Sequence, residues 1–106
     1  DINRTQQGNL LVVDLRGHIF RSLRNGTPWQ ESDSHVTALL SAIVLTDDER
    51  IFVLGNNGVL LESRDDGSTF TKHLQKDGKP LIAGVWYKNK IIAVSDVGIK
   101  TINVMK

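Results

Sequence analysis

One octet in this chain places a serine, an aspartate, a glycine and a threonine at alternating positions and ends in an aromatic ring. It reads Ser63-Arg-Asp65-Asp-Gly67-Ser-Thr69-Phe70. Hydroxyl and carboxylate oxygens at this spacing accept hydrogen bonds from the backbone N–H groups of a tight turn. Glycine adopts the positive φ that a β-carbon disfavours. The predicted chemistry is therefore a hairpin turn that bonds to itself, with the aromatic ring packed beneath it.

The two adjacent carboxylates of the octet, Asp65 and Asp66, raise the alternative of a calcium site. Two carboxylates without further oxygen ligands make a poor calcium cage. The chain has no cysteine, and its three histidines lie far apart in the sequence, so nothing indicates zinc either. We predict no metal ion and no cofactor, and we interpret Asp65 as structural.

No set of residues has the spacing of a catalytic site. A sialidase would need a cluster of arginines and a tyrosine nucleophile with a carboxylate partner, but Tyr87 is the only tyrosine. The arginines are scattered over predicted hairpins: Arg4, Arg16, Arg21, Arg24, Arg50 and Arg64. Glycosidase chemistry with two carboxylates requires a defined acidic pair in a cleft, and nothing marks such a pair. The sequence predicts no catalytic residue and no enzyme.

The octet belongs to a repeat of about 41 residues. Residues 10–22 lie over residues 51–63, and a third copy begins at Ile91. Gly17 and Gly58 are 41 residues apart, and Gly58 and Gly98 are 40 apart. Each of these glycines ends a short polar segment between apolar runs, which predicts the same tight hairpin turn three times.

The octet has an earlier, degenerate copy at the same offset. Ser22, Gly26 and Trp29 correspond to the serine, the glycine and the aromatic residue of the octet, but Arg24 and Pro28 replace its aspartate and threonine. The turn of this copy must therefore be held by other interactions.

The apolar runs are short, rich in valine, isoleucine and leucine, and punctuated by glycine, asparagine and aspartate, which favours strands over helices. We predict ten strands and little or no helix. The strands are 10–14, 18–23, 27–32, 37–45, 50–54, 59–64, 69–74, 80–87, 90–95 and 98–104. The predicted core residues are Leu11, Val13, Ile19, Ile43, Leu45, Phe52, Leu54, Leu60, Ile92 and Val94.

A period near 40 built from short strands indicates an all-β fold of antiparallel four-stranded β-propeller blades. We predict one partial propeller over residues 1–106, with blade repeats at 10–32, 37–74 and 80–104. These copies have three, four and three strands, about two and a half blades, and the polar residues 1–9 supply at most one strand more.

Two and a half blades cannot close a ring, and an open set exposes apolar faces and unpaired strand edges. Two alternatives follow: the chain is the end of a longer propeller, or several copies complete a ring together. The formal net charge is +1 and no basic stripe is visible, so we predict no nucleic-acid partner. The longest apolar stretch, 38–45, is far too short to span a bilayer.

The octet resembles the Asp-box of sialidase-type and related propellers, also called the BNR repeat, if phenylalanine is allowed for tryptophan. Beyond it, residues 9–103 resemble the family of photosystem II assembly and stability factors and their bacterial relatives outside photosynthesis. Residues 53–70 and 91–98 carry this resemblance. It implies the C-terminal part of a seven-bladed, non-catalytic binding scaffold in the thylakoid lumen, the periplasm or the cell envelope.

Three functional hypotheses follow. The first is a non-enzymatic propeller scaffold that binds a protein partner, which the sequence does not identify. The second is part of a sialidase-like propeller that binds or cleaves glycans. The third is a small propeller protein that assembles from several copies of itself.

Overall fold

The computed structural model describes residues 1–23 and 28–105. These residues form eleven strands in three antiparallel sheets, with one short 3-10 turn at Asn56–Gly58. The all-β, partial-propeller prediction is confirmed. The described residues contain no helix with the length and apolar character needed to cross a bilayer.

The first sheet has four strands in the order β1-β2-β3-β4. They are β1 (Ile2–Arg4), β2 (Leu10–Val13), β3 (Ile19–Ser22) and β4 (Trp29–Ser32). Residues 1–9 supply the one further strand that the sequence allowed them, because β1 pairs with β2 and is the innermost strand of the first sheet. A signal was present in the sequence: Ile2 and Thr5 lie 41 residues before Ile43 and Thr46.

The second sheet has four strands and the third sheet has three. In both sheets the strands lie side by side in chain order. The second consists of β5 (Leu40–Leu45), β6 (Ile51–Gly55), β7 (Val59–Ser63) and β8 (Thr71–Leu74). The third consists of β9 (Leu81–Tyr87), β10 (Lys90–Ser95) and β11 (Gly98–Asn103). The predicted strands of these two copies are all present, with bounds shifted by up to three residues.

The hairpin turns at Gly17 and Gly58 are alike, but the third differs from the prediction. Gly17 and Gly58 have φ of 81° and 71°. In each of these hairpins five residues separate the last paired residues, which are Val13 and Ile19 in the first and Leu54 and Leu60 in the second. In the third hairpin Ser95 still pairs with Gly98, so only two residues remain in the turn. Gly98, with φ of 120°, is therefore the first residue of β11.

Two apolar layers hold the three sheets together. Leu11, Val13 and Ile19 of the first sheet pack against one face of the second sheet. The other face of the second sheet, which includes Phe52 and Leu54, packs against the third sheet. Every residue of β6 is buried, because this strand has a neighbouring sheet on both faces.

Seven of the ten predicted core residues are buried: Leu11, Val13, Ile19, Ile43, Phe52, Leu54 and Leu60. Leu45 and Ile92 are partly buried. Val94 is 46% exposed, so its assignment to the core is wrong. In β10 the buried side chains are those of Ile91, Ala93 and Ser95. Val94 lies on the opposite face, which no sheet of residues 1–23 and 28–105 covers.

We expect Gly17→Ala to destabilise the protein more than Gly8→Ala. Both glycines have positive φ, so each alanine costs about 1–2 kcal/mol in backbone strain. A β-carbon on Gly17 would also lie 2.4 Å from the Val36 carbonyl oxygen, whereas one on Gly8 would meet nothing within 4 Å. The additional overlap should cost a further ~1–3 kcal/mol. Urea unfolding of the two variants measures the difference, and equal losses would contradict this packing of Gly17.

Candidate functional site

The octet forms a turn between β7 and β8 that is closed by its own side chains. The Ser63 hydroxyl donates to the Asp65 carboxylate at 2.8 Å and accepts the Gly67 N–H at 2.8 Å. The Asp65 carboxylate also accepts the Thr69 N–H at 2.9 Å and the Thr69 hydroxyl. The bonds from the Gly67 and Thr69 N–H groups are of the predicted kind. The Ser63 and Thr69 hydroxyls differ from the prediction in donating to the Asp65 carboxylate.

These bonds change the ionisation of the aspartate. Burial alone would raise the pKa of Asp65, but the hydrogen bonds from Thr69 and Ser63 outweigh it and hold the pKa below its ordinary value. The carboxylate is therefore stabilised in its charged form by donors within the turn, and its acceptor oxygens are already used by the protein.

The neighbouring Asp66 joins the octet turn to the first sheet. Its carboxylate accepts the Thr5 hydroxyl at 2.6 Å and the Asn9 side-chain amide at 2.7 Å. Arg21 of β3 lies 3.8 Å from the same carboxylate and donates to the Asp66 carbonyl oxygen at 3.1 Å. The Asp66 side chain is only 4% exposed, so these contacts form a buried polar link between two sheets.

Sequence reasoning missed this role of Asp66, because the residue occupies a variable position of the octet pattern. The only available signal was a turn that recurs at the repeat offset. Thr5 and Asn9 bracket the turn after β1 as Thr46 and Arg50 bracket the turn after β5, with the same backbone bonds.

Other octet residues also contact the first sheet. The Ser32 hydroxyl donates to the Gly67 carbonyl oxygen at 2.8 Å. A β-carbon on Gly67, which has φ of 91°, would lie 3.0 Å from Leu11. Phe70 is 5% exposed and belongs to the core between the first and second sheets. The octet is thus a contact surface between sheets as well as a turn.

The degenerate copy is less enclosed. Ser22 is fully buried, and its hydroxyl donates to the Leu23 carbonyl oxygen at 3.3 Å. Trp29 is 45% exposed, because it lies on the face of the first sheet that neither of the other two described sheets covers. Gly26 lies outside the described residues.

A second polar link joins the second and third sheets at Arg50. This residue is 3% exposed, and its guanidinium group pairs with Asp48 at 2.8 Å and Glu62 at 3.2 Å. It also donates to the Met105 carbonyl oxygen at 2.7 Å. The hydrogen bonds to Asp48 raise the pKa of Arg50, burial opposes them, and Glu62 adds to the rise.

The Arg50 guanidinium also lies over two aromatic rings. It is 5.1 Å from the centre of Phe52 and 5.3 Å from the centre of Trp86, which stack on each other. The Trp86 indole N–H donates to Asp47 at 2.8 Å. Trp86 and Arg50 therefore link β9 to the second sheet.

Glu62 contacts two arginines and a histidine beside this link. It contacts Arg50, Arg64 at 3.0 Å and His73 at 3.0 Å. Burial alone would raise the pKa of Glu62, but the hydrogen bonds from Arg50 and His73, with the charge of Arg64, lower it. Arg50 and Arg64 do come together, yet their donors face Glu62 and the Met105 carbonyl oxygen.

Within residues 1–23 and 28–105, no group of three or more histidine, cysteine or acidic side chains could hold a metal ion. An open cleft of about 760 Å³ lies between the segment that joins the first two sheets and the outer strands of the second sheet. It is lined by Asp33, His35, Val36, Thr37, Ala38, Asn57, Val59, Lys72 and Leu74. The cleft is chemically mixed, with one aspartate, one histidine and one lysine beside polar and aliphatic groups.

No protein-family model matches this sequence, and no curated protein matches it. Among solved structures, the chain is similar to YCF48 from Cyanidioschyzon merolae, with a TM-score of 0.76 and 21% identity over 96% of this chain and 33% of that one. It is similar to virginiamycin B lyase from Staphylococcus aureus, with a TM-score of 0.70 and 15% identity over 99% of this chain and 41% of that one. The computationally designed Ika4 protein gives a TM-score of 0.69 and 12% identity, covering 99% and 67% of the two chains.

YCF48 and the lyase are β-propeller proteins, so these likenesses show the propeller fold. The chain spans about a third of the first protein's length and two fifths of the second's.

We expect Asp66→Ala to destabilise the protein by roughly 2–4 kcal/mol, because it leaves the buried side chains of Thr5 and Asn9 without their acceptor. The matched control is Asp96→Ala in the exposed turn between β10 and β11, where a loss within about 0.5 kcal/mol is expected. Urea unfolding measures both variants. Equal losses would mean that the Asp66 link does not hold the first two sheets together.

We expect stability to fall as the pH drops below about 4, near the ordinary pKa of these carboxyls. Asp65 and Glu62 both have lowered pKa values in the folded chain. Their stabilising contribution is therefore present above the ordinary pKa and is lost as the pH falls through the folded one. Thermal unfolding between pH 7 and pH 2 should show a shallower acid-side decline in Asp65→Asn/Glu62→Gln than in the parent. If the parent and the double variant lost stability equally as the pH falls, the ionisation of Asp65 and Glu62 would not be the cause of the decline.

Proposed function

We propose that this chain is part of a non-enzymatic β-propeller scaffold that binds a protein partner. The observation that carries the proposal is the use of its polar groups. In the described part of the chain, no buried side-chain nitrogen or oxygen atom lacks a hydrogen-bond partner. The buried Asp66 carboxylate accepts hydrogen bonds from Thr5 and Asn9. The buried Arg50 guanidinium group bonds to Asp48, Glu62 and the Met105 carbonyl oxygen, so neither charged group is directed at a substrate.

The residue-level resemblance to photosystem II assembly and stability factors supports the same proposal, as does the fold shared with YCF48. By that resemblance the protein would act in the thylakoid lumen, the periplasm or the cell envelope. The rest of the ring would come from further blades of a longer chain or from other copies.

The open cleft is the proposed contact surface for the partner. Leu74, at its edge, is 59% exposed and belongs to β8, the outermost strand of the second sheet. An outer strand leaves backbone donors and acceptors that can pair with an extended segment of another protein. The aliphatic groups of the cleft, Val36 and Ala38 among them, would then contact alternate side chains of that segment.

The glycan alternative rests on the octet and on the meeting of Arg50 and Arg64. Against it, these two guanidinium groups are already paired with Glu62, and Arg50 is 3% exposed. A sialoside carboxylate would have to displace these intramolecular contacts.

Selection of displayed linear peptides on the immobilised chain tests the scaffold proposal. We expect selected peptides to lose binding at least tenfold to Leu74→Asp, because a charge at the cleft removes apolar contact and adds a desolvation cost. The matched control is Leu15→Asp, which changes a 72% exposed leucine that does not line the cleft.

The same chain is applied to a glycan array that includes sialosides. Sialoside binding without selected peptides would favour the second hypothesis. Peptides that bind equally well to Leu74→Asp and Leu15→Asp would contradict the cleft as the contact surface.

A further inference from the structure

The outer face of the third sheet is apolar and exposed. Val85 is 59% exposed, Val94 46% and Ile99 81%. Strand pairing places all three on one face, because Val94 is opposite Ile99 and Val85 is opposite Ile92. Isoleucine and valine at this exposure, side by side on one face of a sheet, indicate a surface that another sheet or protein covers.

The second sheet buries the equivalent positions. Strand pairing shows which residues correspond. In the second sheet the pairs on this face are Ala42–Leu54, Val44–Phe52 and Leu54–Leu60. In the third sheet the corresponding pairs are Ala83–Val94, Val85–Ile92 and Val94–Ile99. In the second sheet these five side chains are at most 7% exposed and pack against the third sheet. All five positions are apolar in both sheets. The third sheet therefore has the face with which the second sheet contacts its successor, but it has no successor here.

The first sheet has the opposite half of this contact. Its outer face contains Ile2, Leu10, Val12 and Phe20, of which Ile2 is 60% exposed and the others are partly buried. The residues 41 positions later are Ile43, Ile51, Val53 and Leu61. In the second sheet these are at most 6% exposed and pack against the preceding sheet.

One chain thus exposes both halves of an interface that it forms twice internally. We propose that two copies of this chain pack head to tail, with the outer face of the first sheet of each copy on the outer face of the third sheet of the other. A propeller typically has about four to eight blades, and with three sheets per copy only two copies give a number in that range. The product is a closed two-copy ring of six sheets.

This proposal does not depend on which partner the scaffold binds. Two identical head-to-tail contacts close the ring, so assembly stops at the dimer and leaves neither face exposed. The proposed contact differs from strand pairing between the β11 edges of two copies. It requires the first sheet of one copy and the third sheet of the other.

Light scattering coupled to size-exclusion chromatography measures the mass of the full 106-residue chain over a hundredfold range of concentration. We expect a discrete dimer. Ile99→Asp should lower the dimer's affinity at least a hundredfold, because it places a carboxylate in the apolar contact. Val97→Asp is the matched control: Val97 is 71% exposed in the same hairpin but lies in its turn, so this variant should remain dimeric.

Ile2→Asp, on the opposite face, should dissociate the dimer to a similar extent. Mixing the two monomeric variants provides the decisive measurement. An Ile2→Asp copy has an intact third sheet and an Ile99→Asp copy has an intact first sheet, so the mixture should regain dimers through one unaltered contact. Far-UV circular dichroism of each variant reports whether its sheets are retained, and recovery on mixing keeps the test valid if one variant alone is partly unfolded.

A monomer at every concentration would overturn the proposal and indicate that further sheets of a longer chain cover both faces. A dimer that tolerates Ile99→Asp as well as Val97→Asp would also overturn it. A mixture of the two variants that stays monomeric would exclude the head-to-tail arrangement. Peptide binding to the cleft is measured separately, so either proposal can fail without the other.

Discussion

The apolar contact between successive sheets is the interaction on which the rest of this structure depends. Each strand is short, and no sheet could bury its two faces alone. Burying a large aliphatic side chain contributes roughly 1.5–3 kcal/mol, and the two layers contain most of the buried leucine, isoleucine and valine residues of the chain. The turns and polar links matter because they bring the sheets into register for these contacts.

Adjacent residues of the octet make different polar contacts. Asp65 bonds within the octet turn and fixes its shape, whereas Asp66, the next residue, bonds to the Thr5–Asn9 turn of the preceding sheet. Arg50 stands at the repeat position of Asn9 and reaches the Met105 carbonyl oxygen of the following segment. Equivalent turns in the first and second sheets thus each contact the segment that follows, the first through an amide group and the second through a guanidinium group.

The repeat made most of the fold predictable, and the misses have identifiable causes. Period and turn residues predicted all strands except β1, whose residues Ile2–Arg4 are exposed and mostly polar, so no apolar run marked them. The repeat assigns Val94 to the core together with its equivalents Val13 and Leu54, and those two are buried. Val94 differs because, in the described part of the chain, no sheet lies against its face. Asp66 was missed because its partners lie about 60 residues away in sequence, and a local motif has no information on such contacts.

The difference between equivalent residues in the three sheets shows how stability is distributed along such a chain. The central sheet has a neighbour on each face and β6 is wholly buried. In β2 and β10, buried residues alternate with partly buried or exposed ones. In a repeat architecture, stability is close to a sum of repeat and nearest-neighbour terms, so the outer sheets each lack one favourable term. The first and third sheets should therefore open before the second. Covering either outer face adds an interface of the same kind. The exposure of the two outer faces and the lower stability of the outer sheets therefore have one physical cause, which is the lack of a neighbouring sheet on that side.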